Sequence, residues 1–493
     1  MLLINANPAG TETLKNLVLP GVGHFTIADV ANVKESDLGN NFFITAESLG
    51  QSRAQVAARL LLELNPDVKG KALQLDVGEI LATAEGGNLD FLSSFSLVIA
   101  SQLTQGHERR LSVLCTHLQT PLLLLKSVGL LASLRVYAPE HRVVESKPAD
   151  KEVLDLHMIN PFLELRAFAD TFDLASLDDM AHAHVPYVVL LVKLLDLWKG
   201  QHNGQLPASF ADKTAFKATI KAASRNYFNE MNFQEAFNNS YLSYADDTPE
   251  TTLAILADPK ASGNGPSSPI FWTAAEAVAS FRAEHGALPL SGALPDMTST
   301  TDSYIQLQVI YQTKAKQDLE QVRAKVVQIT GQALHEVDEE FLALFTRNLK
   351  TLDLLRYRTL EEELTAALTD DLTNDLDETP PMVEWYVGLR AREVFREREG
   401  RYPGQTDYQS DAVQLEVDGK GVATQLGLDP SVFSGEAALE VARYGEAELH
   451  GVSALLGGVA SQEAVKLITR QFTPINNTFI YSAVRSKGVV YQL

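Results

Sequence analysis

The chain has 493 residues, 45% of them hydrophobic, which suits a soluble globular protein of several structural units and argues against disorder throughout. It carries 41 Lys and Arg against 63 Asp and Glu, a formal charge of −22, which disfavours a nucleic-acid or anionic-membrane surface and favours solubility and electropositive partners. One cysteine cannot form an internal disulfide, and no CxxC pair exists to hold structural zinc, so a reducing compartment is expected and no metal site.

The first thirty residues read MLLINANPAGTETLKNLVLPGVGHFTIADV. An apolar run (Leu2, Leu3, Ile4) ends in a turn, a helical pattern carrying Leu14, Leu17, Val18 and Leu19 follows, and Pro20-Gly21 breaks it before a second apolar run ending at Asp29. This predicts a strand, helix, strand unit of nucleotide-binding shape. In such units the first turn is glycine-rich, because a pyrophosphate must approach bare backbone N–H groups at the helix N-terminus, and an acid about 20 residues on holds the ribose. Asp29 stands where that acid belongs. The turn itself reads Asn5, Ala6, Asn7, Pro8, Ala9, Gly10. Asn tolerates a left-handed backbone, but the side chains of Asn5 and Asn7 fill space a phosphate needs, and Pro8 removes a donor. The reading is a nucleotide-binding architecture with an altered loop; the alternative is an unusual but working phosphate loop.

Further along, LVIASQL (residues 97–103) reads as a strand buried on both faces, as in a parallel sheet. Residues 121–126 and 129–137 predict two more strands. Cys115 lies in the apolar LSVLCTHLQTPLLLL and reads as a small buried hydrophobe. The start lacks the basic segment, apolar core and cleavage site of a secretory signal, so an intracellular protein, cytoplasmic or nuclear, is expected. The apolar run 185–198 is short and interrupted by Lys193 and Asp196, which predicts a core helix and no membrane span.

From about residue 140 to 401 helical periodicity dominates. His182 and His184 form an HxH in a loop with no third ligand nearby in sequence, and are read as structural or surface histidines. Residues 303–330 form a long helical pattern stopped by Gly331, with Tyr304, Leu307, Tyr311, Ala315, Val322, Val326 and Ile329 near one stripe and Ile305 and Val309 on another face. The acidic segment 361–378 (EEELTAALTDDLTNDLDE) lacks the spacing of a calcium loop and reads as a solvated face, with steering of a basic partner as the alternative. Gly457-Gly458 is expected to open a helix over 459–469, whose Ala460, Ser461 and Ala464 permit close approach of another backbone, and residues 479–481 read as a closing strand.

Several of these blocks carry a resemblance. TLKNLVLPGVGHFTIAD, SDLGNNFF, SRAQVAARLLLELNPDV, HVPYVVLLVKLLDLW, LPDM, YIQLQVIYQTKAK, GRYPG, RYG, GGVASQEAVKLIT and QFTPINNTFIYS together resemble the enzymes that activate ubiquitin and its relatives, nearly end to end. The match is closest to regulatory subunits of heterodimeric neddylation activating enzymes. The fold class implied is α/β: a Rossmann-like adenylation fold, discontinuous in sequence, with a large mainly helical insertion related to catalytic-cysteine domains. The expected division is 1–150 and 449–493 for a pseudo-adenylation domain and 151–448 for the insert.

The resemblance implies specific losses. Where catalytic relatives direct an arginine at the phosphates, this chain has Asn40; their second ribose acid is replaced by Ala31, and their magnesium aspartate by Thr104, a poor substitute on a hard dication. Arg53 matches a basic position that contacts phosphate in active relatives, and also suits a helix-start surface arginine. The family's thiol lies in a separate domain from Cys115. Relatives carry a helical segment before the first strand, whereas Met1 lies directly on it here: the segment was lost, or the recorded start is late. No cofactor is therefore expected on this chain, with ATP and magnesium on a catalytic partner subunit. The other partners implied are a ubiquitin-like modifier and, indirectly, a conjugating enzyme. Contact with the catalytic subunit is expected at Tyr304, Ile305, Leu307, Val309, Tyr311 and Lys314, with packing inside this subunit as the competing reading. Two further functions compete: the equivalent subunit for sumoylation, usually shorter and without so large an insert, and an NAD(P)-dependent oxidoreductase using Asp29, which the non-glycine turn opposes.

Overall fold

The computed structural model describes residues 1–82, 87–145, 155–246 and 248–493. Its contacts divide the chain into two compact units, residues 1–141 with 355–493, and residues 142–354. The first unit is built on β1 (Leu2–Ile4), β2 (His24–Ala28), β3 (Lys69–Leu73), β4 (Val98–Ser101), β5 (Leu122–Val128), β6 (Leu131–Tyr137), β7 (Thr478–Ser482) and β8 (Lys487–Tyr491). They form one sheet in the order β8-β7-β6-β5-β4-β1-β2-β3. The pairs from β3 through β5 are parallel, with Leu2 opposite both Thr26 and Val98, and the pairs from β5 through β8 are antiparallel.

Parallel strands need crossovers, and helices α1 (Pro8–Val18), α2 (Arg53–Leu62) and α3 (Gln105–His117) supply them. Covered on both faces, β1 and β4 are buried at every position, which is why they read as unbroken apolar runs. The order β3-β2-β1-β4-β5 places the switch point between β1 and β4, where ligands of such sheets bind beyond the strand ends. The α/β class and Rossmann-like architecture expected from the sequence are those observed.

The second unit is helical around its core. In α4 (Tyr187–Gln201) nine side chains are buried, so the apolar run is a core helix, and among the described residues no helix is long and apolar enough to cross a membrane. Next come α5 (Phe210–Ala223) and the 30-residue α6 (Thr301–Thr330). Thr300 Oγ1 caps the start of α6 by accepting from Ser303 N at 3.2 Å, and Gly331 ends it at φ +68°, a left-handed conformation that favours glycine.

The chain then returns to the first unit with α7 (Val383–Glu399), α8 (Tyr408–Gln425) and α9 (His450–Thr469). Trp385, Tyr386, Leu415 and Phe433 share one core with Leu131 of β6, Ile480 of β7 and Tyr491 of β8. Residues 355–448 therefore fall in the same compact unit as the sheet, whereas the resemblance placed residues 151–448 together in the insert. α9 begins at His450, and its glycines lie inside it. A Cβ on Gly457 would stand 2.6 Å from Glu12 Cβ and 2.9 Å from Thr13 N, so α1 meets α9 at a spacing only glycine permits, beside buried Ala460 and Ala464.

Candidate functional site

Asn5, Asn7 and Gly10 occupy the spacing of a G-x-G-x-x-G turn between β1 and α1, and each can be read against the job of the glycine it replaces or retains. Asn5 adopts φ +67° and so makes the tight turn, while its Nδ2 donates to Ser101 O at 3.0 Å and ties β1 to β4. Gly10 serves packing: a Cβ there would stand 2.9 Å from Leu3 Cδ1 and 3.0 Å from Asn5 O. The middle position, where a pyrophosphate would touch backbone, carries the Asn7 side chain, whose Oδ1 accepts from Arg53 Nη2 at 3.2 Å. Pro8 opens α1, where its fixed φ suits the first helical position and its missing N–H costs no intrahelical bond.

Asp29, at the end of β2, is 1% exposed and both its oxygens are engaged. Oδ2 accepts from Ala6 N at 2.8 Å and Arg53 Nε at 2.7 Å, and Oδ1 accepts from Ala31 N at 2.8 Å. Arg53 also reaches Asp37 Oδ1 at 3.4 Å. Acid and arginine thus neutralise each other in a half-enclosed setting, where such pairs are hard to open without leaving a buried charge.

The N-terminus of α1 is where backbone N–H groups and the helix dipole would attract an anion. Here a carboxyl of the protein itself takes that place. Glu448, buried just before α9, accepts from Ala9 N at 3.3 Å and from Ser453 Oγ at 3.2 Å. Burial pushes its carboxyl up to about 7, against the Ala9 N–H and the Gln102, Asn7 and Ser453 side chains, which favour the charged form. Asn41 completes the lining, donating from Nδ2 to Ala6 O at 3.1 Å and accepting from Thr11 Oγ1 at 3.3 Å.

Three of the positions singled out in the sequence, Asn7, Asp29 and Arg53, thus meet in one bonded cluster, with Asn5 and Pro8 in the same turn. Asn40 and Thr104 are engaged elsewhere: Asn40 Nδ2 donates to Ser36 O at 3.3 Å, and Thr104 caps α3 by accepting from His107 N at 3.3 Å. Sequence reading missed Glu448, Ser453, Asp37 and Asn41. Asp37 and Asn41 lie in SDLGNNFF and a lining role was open to them, but Glu448 is 439 residues from Ala9 and no local pattern marks it.

On α6, Leu307 and Tyr311 are fully buried, and Tyr311 donates to Leu156 O at 2.9 Å, so they are core residues of the second unit. Tyr304 is half-buried, Lys314 pairs with buried Asp318, and Ile305 and Val309 are 51% and 56% exposed. Cys115 is fully buried, and burial raises its thiol to about 12, a setting unsuited to nucleophilic attack. The HxH is split: His182 lies 2.5 Å from buried Glu230 and stacks on Phe233, while His184 donates to Met180 O. Among the described residues no cluster of three or more His, Cys, Asp or Glu is arranged to hold a metal. The acidic segment 361–378 is not simply a solvated face. Glu363 pairs with Arg135 of β6, Asp375 accepts from Met382 N and Val383 N at 2.6 and 2.7 Å, and Asp371 accepts from Gln492 N at 2.7 Å. These carboxylates face backbone donors and a buried arginine, partners a run of acids in the sequence does not disclose.

Comparison with known proteins agrees with this architecture. The ThiF family matches residues 2–491. The NEDD8-activating enzyme E1 regulatory subunit of Xenopus laevis is 37% identical over all of this chain and 94% of its own length. From Arabidopsis thaliana, the regulatory subunits AXL and AXR1 are 35% and 34% identical, over 99% and 100% of this chain and 94% and 92% of their own lengths. With its sheet, its altered nucleotide turn and full-length likeness to these proteins, the chain belongs to the ThiF family and, within it, to the NEDD8-activating enzyme E1 regulatory subunits.

Proposed function

We propose that this chain is the non-catalytic subunit of a heterodimeric, ATP-dependent activating enzyme for the neddylation modifier. It scaffolds a catalytic subunit that binds ATP and magnesium, adenylates the modifier and carries the thiol; the conjugating enzyme is reached indirectly. The observation that carries this reading is the closed turn. A nucleotide needs the Ala9 N–H for phosphate and Asp29 for ribose, and here Glu448 takes the first while Arg53 and Ala6 take the second. The residues present do not fit a triphosphate, and Thr104 is engaged as a helix cap where a metal carboxylate would be wanted. We assign the exposed face of α6 around Ile305 and Val309 to the catalytic partner, and place the complex in the cytoplasm or nucleus.

The sumoylation reading draws no support from relatives named for NEDD8 over their full length. An oxidoreductase would need the same Asp29 oxygens for its ribose. Co-expression with the catalytic subunits of the neddylation and sumoylation pathways, followed by a thioester assay, tests the assignment. The neddylation pair alone should form a thioester, on the partner's cysteine, and Cys115→Ala should leave its rate unchanged. Thioester formation with neither subunit, or loss of it in Cys115→Ala with the fold intact, would overturn the reading.

A further inference from the structure

In a chain this acidic, one helix face collects cations that have no carboxylate. Along α5, Lys213, Lys217 and Lys221 recur every fourth residue and so form one row, beside the buried Phe216 and Ile220 that fasten the helix to its unit. None of the three has an ion pair with a described residue. Each lies instead over an aromatic ring: Lys213 over Tyr244 at 5.4 Å, Lys217 over Phe237 at 4.9 Å, Lys221 over Tyr227 at 5.1 Å and Phe228 at 5.7 Å. The rings run beside the helix in reverse chain order, and Tyr227 touches both Phe228 and Phe237 edge-on, at 6.0 and 5.9 Å.

This arrangement differs from a solvated charged face in two ways. A ring face attracts an ammonium without neutralising it, so each lysine is held in place with its charge unspent. The ledge is also apolar where it meets water: Phe228 is 82% exposed and Phe210, at the first turn of α5, 87%. Nearby carboxylates are already used: Asp212 caps α5 through Ser209, Glu230 accepts from Arg225 N and Asn226 N, and Glu235 accepts from Thr298.

We propose that this face docks an acidic protein segment, a helix with carboxylates at i, i+4 and i+8 and an apolar side chain directed at Phe228. The lysine row rises roughly 6 Å per rung, the spacing of such carboxylates on a facing helix. A protein segment fits better than a nucleic acid, because a long polyanion must also cross the surface of a chain with charge −22, whereas a short acidic helix meets only the row. The surface is independent of the nucleotide turn and of the partner assignment above.

The test uses the full chain and a fluorescein-labelled 15-residue alanine-based peptide with Glu at every fourth position, its Gln counterpart, and a labelled dT15 oligonucleotide. Binding to the Glu peptide should exceed that to the Gln peptide and dT15 at least tenfold at low salt, and weaken steeply as salt rises. Lys213→Gln/Lys217→Gln/Lys221→Gln should reduce it at least tenfold with the melting temperature little changed. Lys221→Glu, at the exposed end of the row, provides a second variant that leaves the packed stems of the other two intact, and should also weaken binding. Equal binding of the Glu and Gln peptides, undiminished binding by Lys221→Glu, or dT15 binding as tightly as the peptide would each overturn the proposal.

Discussion

Arg53 and Asp29 decide what the turn can do, because two groups that would serve a nucleotide are spent on each other. Their side chains are 16% and 1% exposed, so removing one leaves the other's charge poorly solvated. Breaking such a pair costs about 3 kcal/mol, against less than about 1 kcal/mol for an exposed pair. Arg53→Ala should therefore lower the chemical denaturation midpoint clearly, while Arg109→Ala, which opens the Arg109–Glu361 pair with both side chains 47% exposed, should barely move it. Equal effects would mean that the Arg53 cluster is as wet as the surface. Glu448 gives a second prediction with a sign. Its folded carboxyl, near 7, lies above its ordinary value of 4.5, so the native state holds a proton that the unfolded chain has released. Its stabilising contribution is complete below about pH 4.5 and is lost as pH rises to about 7. Glu448→Gln stays neutral, so its stability relative to wild type should climb between those values and level off above, as followed by melting temperature against pH. A flat difference would show that Glu448 is ionised throughout.

The helices show where periodicity informs and where it stops. The pattern in α1 and the Gly331 stop of α6 were legible, because turn residues and apolar spacing are local. The start of α9 was not: Gly457-Gly458 looks like a boundary in sequence, yet in the fold one of the two glycines is a contact point. That distinction yields a paired experiment. Gly457→Val should force α1 and α9 apart and destabilise by about 1–3 kcal/mol or more, since its Cβ would lie 2.6 Å from that of Glu12. A Cβ on Gly458 meets nothing within 4 Å, and Gly458→Ala should be neutral or stabilise by up to about 1 kcal/mol through helix propensity. Thermal melting of the two variants checks the contrast; similar destabilisation by both would remove the close approach as its cause. The bonded acids of segment 361–378 escaped the sequence for the opposite reason. Their character comes from partners far along the chain, such as Arg135 for Glu363 and Asp371 for Gln492.

At the scale of the whole chain, the half-intact fingerprint explains why the fold survives an altered site. The retained glycine is the one that packs α1 on the sheet, the asparagine at the first position keeps the left-handed turn and bonds across to β4, and the middle position carries a side chain bonded to Arg53. Architecture and ligand contact are separable in this turn, so one can be kept while the other is filled. Asp29, Asn5 and Gly10 were legible because they are close in sequence to the strand ends they serve; Glu448, which closes the cluster, comes from the far end of the chain and becomes visible only when α9 packs against α1. Calorimetric titration of the isolated chain with Mg·ATP measures the consequence directly. No saturable heat is expected, in wild type as in Arg53→Ala; one-to-one binding by the wild-type chain that disappears in Arg53→Ala would show that the turn still holds a nucleotide.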